Sequence, residues 1–191
     1  MLLTILGLSA VILQVGGFLP YIRDILIGKT KPERASFWIF SLLTSVSLVV
    51  QLSDKISWAT ALLATSLLTL LTIATLSIKY GYGSFHMRDT LSVLFAIMGV
   101  ILWQLTSQPL IAVSIVILID LSGVWLILLK VWEAPQTETL FAWAAGALAA
   151  TFATIAAQSL DPVQIGFIGY SAIANWLIVI LIIYRRKVLD R

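Results

Sequence analysis

Seven long apolar runs constrain the fold of this chain more than any other feature of its sequence. A transmembrane helix needs roughly 20 consecutive, mainly apolar residues, and each run is close to that length. The runs predict seven transmembrane helices, at residues 2–26, 35–52, 57–78, 90–106, 109–130, 140–158 and 162–184. The 191 residues leave no room for a separate soluble domain, so we expect one all-α integral membrane domain, 1–191, surrounded by the lipid bilayer.

The basic residues are divided very unequally between the predicted loops. Of the 12 Lys and Arg residues, all but Lys55 fall on one side of the membrane if the seven helices alternate in direction. Loops rich in Lys and Arg remain in the cytoplasm. The bias therefore predicts a cytoplasmic C-terminus and an N-terminus outside the cytoplasm. The first run has no basic residue before Arg23 and no small-residue cleavage motif, which indicates a retained helix and not a signal peptide.

Residue types that catalytic and metal sites commonly use are scarce. The chain has no cysteine, and its one histidine, His86, lies in a predicted loop. It has no pair of acids buried in the predicted helices and no glycine-rich phosphate cradle. The run 162–184 lacks the lysine that a retinal Schiff base requires. We therefore expect no enzyme, no cofactor and no metal, and no nucleic-acid partner, because the basic residues follow the membrane topology.

A polar pattern in the second predicted helix recurs in the sixth, 107 residues later. The matching residues are Thr44, Ser47, Gln51 and Asp54 in the first copy and Thr151, Thr154, Gln158 and Asp161 in the second. The pattern predicts two parallel three-helix repeats, 1–78 and 109–184, joined by a linker helix at 90–106 and related by an axis along the membrane normal. Coincidence in a chain built from few residue types is the alternative.

Two segments that span corresponding parts of these repeats carry a family resemblance. They read GGFLPYIRDILIGKTKPERASFWIF from Gly16 and DLSGVWLILLKVWEAPQTETLFAW from Asp120. With the three-plus-one-plus-three arrangement, the chain resembles the SWEET and PQ-loop superfamily, and most closely its bacterial seven-helix members. The resemblance implies a bacterial cytoplasmic (inner) membrane protein.

The chain also departs from that family. The Pro-Gln pair of PQ-loop proteins is Pro20-Tyr21 in the first copy, and Ser122-Gly123 stands near the corresponding place in the second. Helix-breaking prolines in both repeats are associated with rocking of the bundle in SWEET carriers. Because only the first repeat of this chain has such a proline, the mechanism of SWEET sugar carriers cannot be applied to it in full. We assign candidate gating roles to Pro20, Tyr21, Gly17 and Gly123.

Asp120 is the most informative single residue, because it lies in the fifth run with no other charge nearby. A charged side chain near the centre of a transmembrane helix costs about 2.5 to 3.5 kcal/mol on insertion scales. We expect Asp120 to face the bundle interior, where it either finds a partner or carries a proton. It is a candidate for solute binding or proton coupling. A structural hydrogen bond to a neighbouring helix is the alternative.

Other polar residues in the predicted helices could line a pathway. Asn175, beside Trp176, matches the pocket asparagine on the seventh helix of SWEET carriers, so the resemblance implies a binding role. Gln14, Thr65 and Thr69 are further candidates for substrate binding. The alternatives are hydrogen bonds between helices for the amides and bonds to preceding carbonyls for the threonines.

Two functions follow from these features. The first is a carrier or facilitator for a small polar solute, sugar-like, amino-acid-like or vitamin-like, that works by alternating access between the repeats, with possible proton coupling through Asp120. The second is a non-transporting membrane sensor, or a subunit or assembly partner of a membrane complex. Short loops and few pocket residues favour the second, whereas the repeat and the buried acid favour the first.

Overall fold

A computed structural model describes residues 2–52, 58–82, 109–158 and 160–189, together with residues 56, 87, 90, 94, 97 and 101. Six α-helices make up most of the described chain: α1 (Leu2–Leu26), α2 (Arg34–Leu52), α3 (Trp58–Tyr80), α4 (Pro109–Glu133), α5 (Leu140–Ala156) and α6 (Pro162–Leu189). A 3₁₀ turn at Pro135–Thr137 connects α4 to α5. No β-strand occurs among the described residues, so the described chain is all-helical.

The six helices coincide with six of the seven predicted spans. The largest difference is at α6, which continues five residues beyond the predicted end at residue 184. The predicted linker helix at 90–106 lies outside the described residues except for 90, 94, 97 and 101, which are helical. Helices α1, α3, α4 and α6 are long and apolar enough to cross a membrane, and α2 and α5 are shorter apolar helices. These helices indicate a membrane-embedded protein.

The six helices pack as a closed ring in the order α1, α5, α6, α4, α2, α3. We call α1 to α3 the first half and α4 to α6 the second half. In each half, the third helix lies between the other two. The halves meet where α1 packs on α5 and where α2 packs on α4. Exchanging α1 with α4, α2 with α5 and α3 with α6 reproduces the six contacts of the ring, whereas a smaller contact of α3 with α5 falls outside this relation.

A glycine lies at each place where the halves meet. A Cβ added to Gly17 of α1 would lie 2.6 Å from the Cβ of Ala145 in α5. A Cβ added to Gly123 of α4 would lie 2.7 Å from a ring carbon of Phe40 in α2. Both separations are too short for a real contact, so each helix approaches its neighbour as closely as only glycine permits. Small residues provide this kind of close packing between membrane helices.

The pair Gly16-Gly17 allows a matched test of this contact. We expect Gly17→Ala to destabilise the protein by about 1 to 3 kcal/mol, because the added methyl group overpacks the contact with α5. Gly16→Ala should be neutral or slightly stabilising, since a Cβ there meets nothing within 4 Å and alanine favours helix. Unfolding by SDS in mixed micelles measures both. Equal stability of the two variants would contradict the packing role of Gly17.

Candidate functional site

A cavity of about 150 Å³ lies inside the ring, and all six described helices contribute to its wall. Most of the lining is apolar or aromatic. The lining residues with polar side-chain atoms are Gln14, Tyr21, Thr44, Ser66, Asp120, Trp143, Ser171 and Asn175. The cavity therefore offers a few polar groups on a mainly apolar wall, as small-molecule sites commonly do.

Asp120 of α4 supplies the carboxylate of this wall. Only 6% of the residue is exposed. No Lys, Arg or His among the described residues lines the cavity. The hydroxyl of Tyr170 in α6 lies near the carboxyl, but it is buried without a hydrogen bond of ordinary geometry to any described residue. Asp120 therefore faces the cavity without a cationic partner in the described chain.

Gln14 occupies the corresponding place in the first half. It precedes Gly17 by three residues, as Asp120 precedes Gly123. The Gln14 Nε2 atom donates a hydrogen bond of 2.7 Å to Ser66 Oγ of α3. The two halves thus place a polar side chain at the same position. In the first half, the Gln14 amide is bonded to the third helix. In the second half, the Tyr170 hydroxyl beside the acid has no hydrogen bond of ordinary geometry to the described residues.

Asn175 of α6 also faces the cavity. Its Nδ2 atom donates a hydrogen bond of 2.7 Å to the backbone carbonyl of Ser171. Its Oδ1 atom lies beside Gly146 of α5, where an added Cβ would be 3.6 Å away. Because Gly146 has no side chain, the amide oxygen has space on the cavity side. It accepts no hydrogen bond from the residues that the structure describes and is available to a donor.

Four of the sequence candidates line the cavity: Asp120, Asn175, Gln14 and Tyr21. The structure does not bring the other candidates to its wall. The Thr65 and Thr69 hydroxyls donate to carbonyls of their own helix, at 3.0 Å from Ala61 O and Thr65 O. Ser66, between them in sequence, lines the cavity instead.

The remaining candidates lie in helix contacts. Trp176 is 37% exposed, and its indole nitrogen is 3.3 Å from Thr151 Oγ1. Gly17 and Gly123 lie where the halves meet, as described above. Pro20 lies within α1, which continues through it to Leu26. Proline has no N–H, so the i→i−4 hydrogen bond to the Gly16 carbonyl cannot form.

A fully buried ion pair closes one end of the cavity. Lys130, near the end of α4, pairs with Glu138, just before α5, and their side chains are 1% and 0% exposed. Glu138 also accepts hydrogen bonds from the Tyr21 hydroxyl at 3.1 Å and the Trp143 indole at 2.7 Å. Lys130 also donates to the Lys31 carbonyl. Each charge is therefore compensated by several partners, as burial requires.

This end of the bundle also contains the hydrogen bonds that join the two halves in the described chain. We call the participating residues the polar clamp: Tyr21, Asp24, Thr30, Lys31, Lys130, Thr137, Glu138 and Thr139. Thr139 donates to Asp24 at 2.8 Å, and Thr30 lies 2.6 Å from Thr139, oxygen to oxygen. The Lys31 amide donates to the Thr137 carbonyl at 3.1 Å. Two further bonds cross the halves: Ser36 donates to the Gly123 carbonyl slightly deeper in the bundle, and the Tyr82 hydroxyl donates to the exposed Glu133 at 3.4 Å.

Aromatic rings lie between the polar clamp and the cavity. The Tyr21 and Phe37 ring centroids are 5.8 Å apart, and those of Phe37 and Trp143 are 6.5 Å apart. All three residues line the cavity, while Tyr21 and Trp143 direct their polar atoms to Glu138. These three rings form the floor of the cavity at this end.

Sequence reasoning missed the second-half residues of the polar clamp and several lining residues. It interpreted Lys130 as an orientation signal and gave no role to Glu138, although both are buried. Thr44 belongs to the repeated polar pattern and lines the cavity, so the repeat was a signal that could have identified it. Ser66 and Ser171 carry no such signal, because serine is frequent in membrane helices for other reasons.

The ion pair yields a matched mutational test. Glu138→Gln should destabilise the protein by about 3 to 5 kcal/mol, because it leaves the Lys130 ammonium buried without its counter-charge. Glu133→Gln, which changes an exposed acid at the end of α4 that accepts a 3.4 Å hydrogen bond from Tyr82, should cost less than about 1 kcal/mol. The double variant Lys130→Met/Glu138→Gln should be more stable than Glu138→Gln alone. SDS-induced unfolding provides the free energies, and a Glu138→Gln variant as stable as the wild type would exclude this role of the pair.

Comparison with known proteins identifies no relative. No protein-family model matches this chain, and neither does any curated protein or solved structure. Function is therefore inferred from the geometry of the cavity and the polar clamp.

Proposed function

We propose that this protein is a membrane carrier or facilitator for a small polar solute and works by alternating access between its two halves. One observation supports this most directly. A cavity with polar groups lies between the halves, and the hydrogen bonds that hold them together in the described chain are concentrated at one end of it. A bundle built in this way can open at that end when these bonds break and the halves separate.

The energy of such an opening depends on the hydrogen bonds that must break. A hydrogen bond in a protein contributes about 0.5 to 1.5 kcal/mol net. Bonds to charged groups contribute about 1.5 to 3 kcal/mol each, and three of the five bonds of the polar clamp that cross the halves involve Glu138, Lys130 or Asp24. Opening the polar clamp therefore costs on the order of 5 to 10 kcal/mol, part of which solute binding and new contacts in the open state must offset. The Lys130–Glu138 pair need not break, because both residues belong to the second half and can move together.

The size of the cavity limits the solute. A volume near 150 Å³ is comparable to that of an engineered protein cavity that binds benzene. Solutes of roughly six to ten non-hydrogen atoms match this volume. Small metabolites fall in this range, whereas disaccharides and peptides do not.

The proposal also includes the orientation of the protein in the membrane and its resemblance to the SWEET family. We place the polar clamp on the cytoplasmic side, because the basic residues cluster at that end, with the N-terminus outside. The seventh helix of this arrangement is the linker at 90–106. A SWEET-like three-plus-one-plus-three architecture in a bacterial cytoplasmic membrane agrees with the ring of six helices and its exchange relation.

Proton coupling through Asp120 is the second element of the proposal. A carboxyl that faces a cavity with no cationic partner in the described chain can bind a proton in one state and release it in another. Among the described residues, Tyr170 of α6 is the titratable group near it, and the α2 residues that line the cavity are uncharged. Proton movement would then accompany movement of the solute.

Alternating access can be tested before the solute is known, because the chain contains no cysteine. Ser66→Cys places one thiol in the cavity wall. We expect a membrane-impermeant maleimide to label it from either side of the membrane, in right-side-out and inside-out vesicles. Adding Thr30→Cys and Thr139→Cys should create a disulfide across the polar clamp, since the parent oxygens are only 2.6 Å apart. Oxidation should then abolish labelling from the clamp side, and reduction should restore it.

The single variants Thr30→Cys and Thr139→Cys, each combined with Ser66→Cys, are the controls. They should change nothing on oxidation. Labelling of Ser66→Cys from one side only, under all conditions, would count against a carrier and favour the non-transporting sensor or subunit.

Proton coupling has its own test. A thermal-shift screen of the purified protein against sugars, amino acids and vitamins first supplies a solute that stabilises the native state. In proteoliposomes, Asp120→Asn should abolish the pH dependence of uptake of that solute, because an amide cannot carry the proton. Glu133→Gln is the control and should behave as wild type. If Asp120 is only structural, Asp120→Asn should lower the melting temperature at every pH and leave the pH dependence of uptake unchanged.

A further inference from the structure

We propose that the cavity binds a small organic monocation: an ammonium group on an apolar body of about ten non-hydrogen atoms or fewer, with Asp120 as its counter-ion. This inference names the substrate class of the proposed carrier and rests on the same cavity. It excludes solutes that the broader proposal allows, namely anions, zwitterions and sugars.

The first reason for a cationic ligand is the charge of the residues that line the cavity. Asp120 is the one carboxylate, and no basic residue stands among the described residues that line the cavity. The buried cation of the same helix, Lys130, lies about 15 Å further along the axis and is already bound to Glu138 and to backbone carbonyls. A carboxylate in a site of low polarity needs a positive partner or a proton. Since the described chain supplies no cation to Asp120, a positively charged ligand can.

The second reason is a difference between the two halves at equivalent positions. At the equivalent position of the first half, Gln14 donates to Ser66, so the chain itself provides the partner. In the second half, Asp120 and the Tyr170 hydroxyl stand at the corresponding place, and that hydroxyl is buried without a hydrogen bond to any described residue. The site is therefore incomplete in one half only. An ammonium group in the cavity can supply the missing partner, because Asp120 lines the cavity and the N–H groups can donate to its carboxylate.

The third reason is the aromatic lining of the rest of the cavity. Phe18, Phe37, Phe40 and Phe167 line the cavity together with Tyr21 and Trp143. Aromatic faces attract cations and pack well against an apolar body. A sugar would instead leave most of its hydroxyl groups against apolar carbon. The carboxylate of a zwitterionic amino acid would find no basic residue in the described lining.

Three probes with the same ring and nearly the same size isolate the charge: benzylammonium, benzyl alcohol and benzoate. Binding to the purified full-length protein in detergent is measured by isothermal titration calorimetry at neutral pH. We expect benzylammonium to bind at least about tenfold more tightly than benzyl alcohol, since a charge-assisted hydrogen bond exceeds a neutral one by about that factor. Benzoate should not bind. Equal affinity for the ammonium and the alcohol, or tighter binding of benzoate, would overturn the proposal.

The variant Asp120→Asn tests whether Asp120 causes the preference for benzylammonium. In this variant the affinities for benzylammonium and benzyl alcohol should become equal within about twofold, with the alcohol still bound. Glu133→Gln should retain the wild-type preference. An ammonium preference that persists in Asp120→Asn would overturn the role of Asp120. The wild-type probe series stays decisive if Asp120→Asn fails to fold.

Failure of this inference can be distinguished from failure of the carrier. Calorimetry in detergent requires no transport, and labelling of Ser66→Cys requires no solute. An ammonium preference with labelling from one side only supports this site in a protein that does not transport. Labelling from both sides without an ammonium preference overturns the monocation and leaves the carrier in place.

Discussion

The burial of the Glu138 carboxylate is the constraint on which the rest of this structure depends. A side chain with 0% exposure in a membrane-embedded bundle is tolerated only if donors surround the charge. Those donors come from three places: Tyr21 in α1, Lys130 in α4 and Trp143 in α5. Satisfying one carboxylate therefore fixes the relative positions of three helices. The same contacts align the aromatic floor of the cavity, because Tyr21 and Trp143 contribute a ring to the floor and a donor to the acid.

The two halves share their helix contacts but differ in their polar chemistry. Exchange of corresponding helices preserves the ring, including a glycine at each contact between halves. The polar residues do not follow this relation: Gln14 and Ser66 form a neutral hydrogen bond, whereas Asp120 lies beside a hydroxyl that has no hydrogen bond in the described chain. A shared backbone framework allows this divergence because the helices pack through small residues and not through these polar groups. Any chemistry specific to Asp120 therefore resides in the second half.

The sequence located the six described helices well because the bilayer imposes their length, and apolar runs record that length directly. The order of the helices in the ring was not readable, since it depends on fits such as Gly17 against Ala145. The sequence also did not show how each helix is rotated about its own axis. One residue of sequence turns a helix by about 100°, which is why Ser66 lines the cavity where Thr65 and Thr69 were expected. Glu138 escaped notice because the 3₁₀ turn before it folds an apparent loop residue into the interior. Asp120 and Asn175 were identifiable because polar groups in apolar helices are costly and therefore conspicuous.

The same 3₁₀ turn bears on how the chain enters the membrane. Only eight residues separate Lys130 from Glu138, so the ammonium and the carboxylate can meet within one helical hairpin, α4 and α5, as soon as the turn forms. The hairpin can thus reach its place with both charges neutralised by each other, without help from the first half. Tyr21 and the loop after α1 add their hydrogen bonds to this pair from the first half. The charge balance of the buried pair is thus local to one hairpin, whereas its full set of hydrogen bonds requires both halves.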